Sequence, residues 1–373
     1  MKIICQRDEA LRGVRIAQNA VTSTALPILS HLLLSTREKL VEITATNLET
    51  TICSSFEAIV EEEGEVCLPG ERLYSILREL PSGEFSIETD DAKSLIKMGQ
   101  ISFALVGISS EEFPEIPSGV KTILSLPQKV FQEILVKTMF SAGQDEVRQS
   151  LSCLLLENSS EGQEKEDSLL RVVATDGRRL SSLIIHHSSS SESFKVLIPL
   201  RAAKELSKIL SGEKNIEMGL EENRIFFRTP KFSFFSQLVE AKFPNYKSVI
   251  PKDYKVIFEV QKDDFVAAIK RVSLLSEEQT RLVKFNLTED SLDISAASVG
   301  LGSAQEKLPV TIKGEKCKME VGFNAVFLLE ALRVMEGENI EVRLIDQESP
   351  GVFSPIDQEN YLHLLMPVKL TEE

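Results

Sequence analysis

One short segment of the chain places positive side chains at helical spacing. Arg201, Lys204 and Lys208 stand at positions i, i+3 and i+7, which a helix with 3.6 residues per turn brings onto one stripe. The opposite face is apolar and is predicted to enter a core: Ala202, Leu206, Ile209 and Leu210. Such a stripe attracts phosphate groups, and phosphate contacts hold nucleic acid without reading its sequence.

Other reactive residues lack the spacing that catalysis or metal binding requires. The chain contains no Walker A, GxGxxG or HExxH motif, and its histidines have no metal-ligand spacing: His31, His186, His187 and His363. Cys153 lies in an apolar run and is assigned to core packing. The TDGRR segment, Thr175 to Arg179, is compatible with a phosphate-binding turn, although Asp-Gly is more often a plain tight turn. We predict no catalytic site, no metal and no cofactor.

The charge of the chain is divided unevenly between its helices and the rest. The net charge of the 373 residues is −15. Six segments with helical periodicity contain 14 Lys and Arg against nine Asp and Glu, a net charge of +5, which leaves −20 elsewhere. Solvated helix faces account for part of this excess, because Lys and Arg are good helix formers. The other interpretation is a shared helical surface that meets a polyanion.

These helices belong to a sequence repeat that occurs three times in the chain. The phrases LPSGEFSIE, LSGEKNIE and MEGENIE place Gly83, Gly212 and Gly337 at intervals of 129 and 125 residues. ITATNLET and VVATDGRR repeat at the same interval of 129, from Ala45 to Ala174. Each copy is predicted to form a helix, two or three strands, a second helix ended by the glycine, and alternating strands. We predict three similar α+β domains with antiparallel sheets, over residues 1–121, 122–252 and 253–373.

The composition favours a cytoplasmic protein with no membrane partner. Five cysteines without a CxxC pair suggest reduced thiols. No apolar run approaches the roughly 18 residues of a membrane span. The N-terminal MKIICQRDEA turns polar too early for a secretory signal. Polar insertions at 157–168 and 186–193 are predicted to be hairpin tips rather than sites.

Six longer motifs lie between Met1 and Leu370: FSAGQDEVRQSLSCLLLE, VVATDGRRLS, FPNYKSVIP, RVSLLSEEQTRLVKFNL, VGFNAVFLLEAL and MPVKL. Together they closely resemble the bacterial DNA polymerase III beta subunit family, the sliding clamps. The resemblance implies that two chains join head to tail as a homodimer, forming a six-domain ring around double-stranded DNA. It also implies a processivity factor that slides without sequence specificity and has no catalytic site of its own.

The resemblance assigns positions to three surfaces. DNA-facing residues would be Arg72, Arg78, Arg148, Arg201 and Lys208, to which the helical stripe adds Lys204. The family often has an Arg shortly before Leu26; this chain reads TSTALPIL there and has none, so that loop's DNA contact is in question. The ring seam would pair Phe103 and Leu105 with Leu274 and Leu275 of the other chain.

The third implied surface is a hydrophobic pocket between domains two and three. It would receive Gln/Leu/Phe-type peptides from the DNA polymerase III alpha subunit, the clamp loader and other replication and repair proteins. Its residues would be Leu151, Thr175, Gly177, Arg178, Arg179, Leu180, Pro244, Val249, Asn324, Phe327, Leu364, Leu365, Met366, Pro367 and Val368. Ser248 and Lys369 stand where the family often has Arg, and the tail Thr371–Glu373 extends past the usual end and could crowd the pocket mouth.

Simpler interpretations of the same residues stay open. LHLLMPVKL also fits a final edge strand with buried leucines, and SLLS fits a helix end with core leucines. A three-domain protein-binding scaffold that never encircles DNA is the alternative function, which the net charge of −15 mildly favours. A hydrolase built on scattered carboxylates has no positive support.

Overall fold

The computed structural model describes residues 1–22, 26–117, 121–145, 148–160, 168–187, 193–313 and 318–370. These ranges contain six α-helices and 25 β-strands. Four sequence predictions fall wholly or partly outside them: the hairpin tips at 157–168 and 186–193, the loop before Leu26, and the tail Thr371–Glu373.

One order of elements occurs three times: a strand, a helix, four strands, a second helix and three strands. The first copy is β1 (Lys2–Gln6), α1 (Arg7–Ala17), β2 (His31–Arg37), β3 (Leu40–Thr46), β4 (Thr50–Glu62), β5 (Glu65–Pro69), α2 (Gly70–Glu79), β6 (Glu84–Asp90), β7 (Lys93–Met98) and β8 (Ile101–Val106). The second is β9 (Thr122–Pro127), α3 (Gln128–Met139), β10 (Cys153–Ser160), β11 (Ser168–Thr175), β12 (Arg179–His187), β13 (Phe194–Pro199), α4 (Leu200–Ile209), β14 (Asn215–Glu221), β15 (Arg224–Arg228) and β16 (Phe232–Gln237). The third, with one extra strand, is β17 (Val256–Gln261), α5 (Lys262–Val272), β18 (Leu282–Leu287), β19 (Ser291–Ser298), β20 (Gly302–Pro309), β21 (Thr311–Lys313), β22 (Met319–Asn324), α6 (Ala325–Val334), β23 (Asn339–Leu344), β24 (Gly351–Pro355) and β25 (Tyr361–Leu365). The predicted repeat, with two helices and several strands per copy, is confirmed.

Two local predictions were incomplete or wrong. The short strand before each first helix, β1, β9 or β17, was not predicted. The repeated glycines do not end the second helices, because α2 stops at Glu79 and α6 at Val334, where the next residue is already extended. Gly83 and Gly337 instead adopt positive φ, at 143° and 97°, in the turn that leads into the next strand.

The chain packs as two compact units, Met1–Phe131 with Lys204–Leu238, and Gln132–Ala203 with Val239–Glu373. Unit 1 contains a 12-stranded sheet in the order β8-β7-β6-β1-β4-β16-β15-β14-β9, extended from β4 through β3, β2 and β5. Unit 2 contains a nine-stranded sheet, β13-β10-β11-β12-β25-β24-β23-β17-β21, and a four-stranded sheet, β20-β19-β18-β22. All registered strand pairs are antiparallel, as predicted, and this is the geometry that leaves one sheet face free for helices.

Amphipathic helices cover the sheets. In α1 the residues spaced for one face are buried, Ala10, Gly13, Val14 and Ala17, and the helix packs on β4 and α2. Gly13 permits the close approach, because a Cβ there would lie 3.1 Å from Ile43 Cδ1. In unit 2, α5 packs on α6, β19 and β20. No helix in the described ranges is both long and apolar enough to cross a membrane.

The thiols sit inside this packing. Cys153 is fully buried in β10, as expected, and burial raises its pKa to about 12. The four cysteines in the described part of the chain are free.

Candidate functional site

The TDGRR segment forms a tight turn between β11 and β12. The Gly177 N–H donates to Thr175 Oγ1 at 3.0 Å, and Thr175 Oγ1 donates to the Arg179 carbonyl at 2.6 Å. Asp176 Oδ1 accepts from the backbone N–H groups of Arg178 and Arg179, at 2.8 and 3.0 Å. Gly177 has φ +87°, a conformation that favours glycine. These bonds occupy the backbone donors of the turn, so it is a structural turn rather than a phosphate cradle.

Arg179 leaves this turn and enters an aromatic cage. Its guanidinium carbon lies 4.2 Å from the Phe327 ring centroid and 5.6 Å from that of Phe140, close enough for cation–π attraction. Nε donates to Asp176 Oδ2 at 3.0 Å, and Nη1 pairs with Glu330. The residue is only 8% exposed, so its charge is compensated by two carboxylates and two rings rather than by water.

The C-terminal strand joins the turn by backbone pairing. β25 pairs with β12, with Arg179 facing Leu365 and Leu180 facing Leu364. Met366 N–H then donates to the Arg178 carbonyl at 2.9 Å. β25 also pairs with β24 on its other side, so it is a central strand and the edge-strand interpretation is wrong.

The segment after β25 is held against the third repeat. Val368 N–H donates to the Gly322 carbonyl at 2.8 Å. A Cβ on Gly322 would lie 2.9 Å from the Val368 carbonyl oxygen and 2.6 Å from Leu282 Cδ1, so only glycine allows this approach. Met366 remains 39% exposed while Pro367 and Val368 are half-buried.

An apolar core cluster contains two of the predicted pocket residues, Leu180 and Leu364. It contains Cys153, Leu155, Val173, Leu180, Leu197, Phe243, Tyr246, Val352 and Leu364. The FPNYKSVIP segment enters it through Phe243 and Tyr246 and leaves Pro244 and Val249 exposed, with Val249 at 45%. Val249 and Met366 therefore both keep apolar surface exposed to solvent.

The remaining predicted pocket residues join the same neighbourhood. Leu151 lies against the turn, because a Cβ on Gly177 would be 4.0 Å from Leu151 Cδ1. Asn324 caps α6 by accepting the Phe327 N–H at 3.1 Å, and its amide donates to the Thr280 carbonyl at 2.9 Å. The cap fixes the first turn of α6 and so the Phe327 ring over Arg179.

Three contributors were missed by sequence reasoning. Phe140 and Glu330 complete the Arg179 cage, and His363 lies behind it, fully buried. Glu330 is three residues after Phe327, so its helical spacing was a usable signal. Phe140 and His363 carried no comparable pattern, because long-range packing brings them together.

His363 is part of a buried polar chain. Its Nδ1 lies 2.9 Å from Ser181 Oγ, which lies 2.7 Å from Ser141 Oγ, and its ring stacks on Phe140 at 5.6 Å. Its Nε2 has no hydrogen-bond partner among the described residues. Burial, reinforced by the positive charge of Arg179, lowers the pKa of His363 to about 3. The imidazole is therefore neutral at physiological pH.

The predicted basic positions are all on the protein surface. In α4, Arg201, Lys204 and Lys208 are exposed, while the predicted apolar face is buried, which confirms the two-sided helix. Arg72 and Arg78 lie exposed on α2. Arg148 is exposed in the turn before Leu151, and its carbonyl accepts the Leu151 N–H at 2.8 Å.

The predicted seam residues lie on or beside two sheet edges. Phe103 and Leu105 are half-buried on β8, the edge of the 12-stranded sheet. Leu274 is 78% exposed and Leu275 half-buried in a short 3-10 helix after α5, so a core role for Leu274 is wrong. β20, on which α5 packs, is the edge of the four-stranded sheet.

A threefold repeated α+β chain with exposed basic helix faces is the architecture of the clamp proteins. Comparison with known proteins gives the family. Profiles of the DNA polymerase III beta subunit match in three consecutive parts: the N-terminal domain at 1–117, the central domain at 125–245 and the C-terminal domain at 247–369. The chain belongs to the DNA polymerase III beta subunit family, the beta sliding clamps.

Individual relatives match along their whole length. The beta sliding clamp of Proteus mirabilis is 30% identical, with 99% of this chain and 100% of the relative covered, and that of Escherichia coli K12 is 29% identical at the same coverage. The Bacillus subtilis sliding clamp structure has TM-score 0.92 and 26% identity, with 100% of both chains covered. The Pseudomonas aeruginosa clamp bound to griselimycin has TM-score 0.92 and 28% identity, with 99% of this chain and 100% of that chain covered. The three-domain clamp fold and the sliding-clamp function expected from the sequence are confirmed.

Proposed function

We propose that two copies of this chain close head to tail into a ring around double-stranded DNA, at a seam formed by β8 of one subunit and β20 of the other. The supporting observation is a pairing rule that occurs twice within the chain. The fourth strand of the first copy, β4, pairs with the last strand of the second copy, β16. The fourth strand of the second copy, β12, pairs with the last strand of the third, β25.

Applied once more, this rule pairs the fourth strand of the third copy with the last strand of the first copy. These are β20 and β8, and both are sheet edges. An unprotected sheet edge presents unpaired N–H and C=O groups that accept another strand. Two identical seams close a twofold ring, and closure prevents an open-ended filament.

The internal junctions also predict the register of the seam. Tyr361 faces Leu183 in the β12–β25 junction, and the β4–β16 junction keeps the equivalent register. Ile101 and Glu306 hold the corresponding places in β8 and β20, so Ile101 would face Glu306 of the partner subunit and Phe103 would face Ala304 of the partner subunit. Leu274 would then exchange its solvent exposure for apolar contact across the seam.

The basic helix faces would line the hole. We assign DNA contact to Arg72, Arg78, Arg148, Arg201, Lys204 and Lys208. Their exposure and the net charge of +5 on the six helices, against −20 elsewhere, support this assignment. The acidic remainder would repel DNA from other surfaces, and contacts to phosphates alone would let the ring slide.

The pocket of unit 2 would bind short Gln/Leu/Phe-type peptides. Met366, Val249 and Leu151 would supply apolar walls around the fixed Arg179 cage, and an adaptable Met surface suits several partners. We assign as partners the DNA polymerase III alpha subunit, the clamp loader and other replication and repair proteins that carry such peptides. The griselimycin complex of the Pseudomonas clamp supports a ligand-binding pocket in this fold.

The same proposal covers the organisation of the chain. We place the domain boundaries at 1–121, 122–252 and 253–373, close to the three profile matches. We further propose that the protein works in the cytoplasm and has no catalytic site of its own, so it would contribute processivity rather than chemistry.

Retention on DNA tests the ring directly. Protein loaded on a nicked circular plasmid should persist through high salt and be lost once the circle is cut, since topology rather than charge would hold it. Equal loss from circular and linear DNA would refute encirclement and favour the scaffold function.

A triple charge reversal tests the DNA-facing assignment. Arg201→Glu, Lys204→Glu and Lys208→Glu together should weaken loading, because the stripe faces away from the helix core. The matched control reverses three exposed lysines outside the helices: Lys39, Lys121 and Lys231. Similar loading by both variants would show that the stripe is merely solvated.

A further inference from the structure

Unit 1 contains a groove of about 180 Å³ at the junction of β4 and β16. Its walls include Thr46, Leu48, Glu49, Pro114, Glu115 and Arg224. Drug-sized ligands occupy larger pockets, of roughly 300–1,000 Å³, so this volume suits one or two side chains of a peptide.

The turn at residues 46–50, which lines the groove, repeats the backbone hydrogen bonds of the TDGRR turn in unit 2. The Leu48 N–H donates to Thr46 Oγ1 at 3.1 Å, as the Gly177 N–H does to Thr175 Oγ1 at 3.0 Å. Asn47 Oδ1 accepts two backbone N–H groups, at 3.1 and 2.7 Å, in the manner of its counterpart Asp176.

The strand that follows is anchored in the same way. The Gln237 N–H donates to the Glu49 carbonyl at 2.8 Å, and the equivalent bond in unit 2 joins Met366 to Arg178 at 2.9 Å. Pro114 also repeats: it follows a Phe, as Pro244 does in unit 2. The groove is thus the counterpart, in the first two repeats, of the pocket in the last two.

The backbone conformation of Leu48 indicates that the groove is more than a by-product of the repeated fold. It has φ +75°, where the equivalent Gly177 has φ +87°. A bulky residue is strained in this region, and such strain concentrates at functional sites. The leucine gains little from burial there, because it is 51% exposed at the groove wall. A strained and exposed leucine therefore presents an apolar contact to an occupant.

The charges of the groove differ from those of the pocket. Glu49 stands where unit 2 has Arg178, and Glu115 where it has Asn245. Both glutamates are exposed. Arg224, on the remaining wall, offers N–H donors to a peptide carbonyl. The two carboxylates favour a cationic side chain beside the apolar contact of Leu48.

We propose that this groove is a second peptide-docking site, which takes an extended partner segment with a Lys or Arg next to an aliphatic residue. The inference rests on the proposed role of the unit 2 pocket, whose ligands would carry no such basic residue. One chain would then offer two equivalent positions with different charge preferences, so that two classes of partner peptide need not compete.

Fluorescence anisotropy with two end-blocked peptides tests the proposal on the full chain. The probes are fluorescein-labelled Gly-Lys-Leu-Lys-Leu-Gly and its counterpart with Glu in place of Lys. Glu49→Lys with Glu115→Lys should weaken the lysine peptide about tenfold or more and improve binding of the glutamate peptide. Glu57→Lys with Glu63→Lys is the matched control, because it makes the same charge change at exposed positions of unit 1 outside the groove.

Two further arms separate this site from the pocket. Val249→Asp should leave the lysine peptide unaffected and abolish binding of a Gln/Leu/Phe-type peptide run in parallel. No measurable binding of the lysine peptide, equal loss in both double variants, or its loss in Val249→Asp would each overturn the second site. Unchanged Gln/Leu/Phe-type peptide binding in Val249→Asp would instead count against the proposed pocket.

Discussion

The buried neutral imidazole of His363 should make unit 2 begin to lose stability below pH 6.5, before most carboxylates titrate. Its pKa falls from an ordinary 6.5 to about 3 in the folded protein. Between these values the unfolded chain takes up a proton at this position and the folded chain does not. The stability from the neutral imidazole is therefore fully present above pH 6.5 and is lost as the pH falls toward 3.

The size of the effect follows from the shift. Each pKa unit corresponds to 1.36 kcal/mol, so the loss relative to neutral pH is about 2 kcal/mol at pH 5 and about 4 kcal/mol at pH 3. Solvent does not screen this effect, because the ring is completely buried. At pH 5 most carboxylates are still ionised, so the stability lost between neutral pH and pH 5 reports mainly on the histidine.

His363→Gln is the informative variant, since glutamine can hydrogen-bond Ser181 and stays neutral at every pH. Multidomain chains rarely unfold in one step, so we would read the opening free energy locally, from hydrogen exchange of β25 amides at pH 7.5 and pH 5. The native protein should lose about 2 kcal/mol more than the variant between these values. Burial also lowers the pKa of His187, but this contribution is common to both proteins and cancels.

His31→Gln is the matched control, because His31 is a partly exposed residue of unit 1. It should show the same pH dependence in β25 as the native protein. Identical pH dependence in His363→Gln and native protein would refute the reasoning, since it would mean that the buried imidazole does not resist protonation.

Three other substitutions give sharp expectations. Leu274→Asp should shift the solution mass from about 83 kDa, twice the 41.6 kDa chain, toward the monomer, because the seam would lose roughly 1.5–3 kcal/mol of apolar burial per site. An unchanged mass by light scattering would argue against this seam. Gly322→Ala should lower the free energy of unfolding by about 1–3 kcal/mol, because the new Cβ pushes the Val368 carbonyl away, and it should reduce Gln/Leu/Phe-type peptide affinity in a titration. Native-like affinity would show that the Met366–Leu370 segment does not shape the pocket. Leu48→Gly should raise the melting temperature, because it relieves about 1–2 kcal/mol of backbone strain, and it should weaken binding of the lysine peptide. A lower melting temperature would show that Leu48 stabilises the fold instead.

Much of the fold was readable from the chain because its signals are local and repeated. The spacing of Arg201, Lys204 and Lys208 fixed one helix and both of its faces, and the interval of 129 residues marked two equivalent domains. Strands β1, β9 and β17 escaped notice because five or six residues show too little alternation. The helix ends were misjudged because the repeated glycines serve the next turn rather than the cap.

The candidate site divides in the same way. Motif resemblance located Thr175, Arg179 and Met366, and local chemistry made TDGRR a turn. The Arg179 cage could not be predicted, because its rings and carboxylates come from segments more than a hundred residues apart that only packing unites.

By itself, then, the sequence determined the three repeats, the two-sided helices, the acidic balance and the family, since each depends on residue spacing along one stretch of chain. The tertiary structure alone decided that β25 is a central strand, that His363 is buried without charge, and that β8 and β20 remain as edges. The physical reason is that hydrogen-bond partners, desolvation and free edges are properties of neighbours in space, and those neighbours lie far apart in the chain.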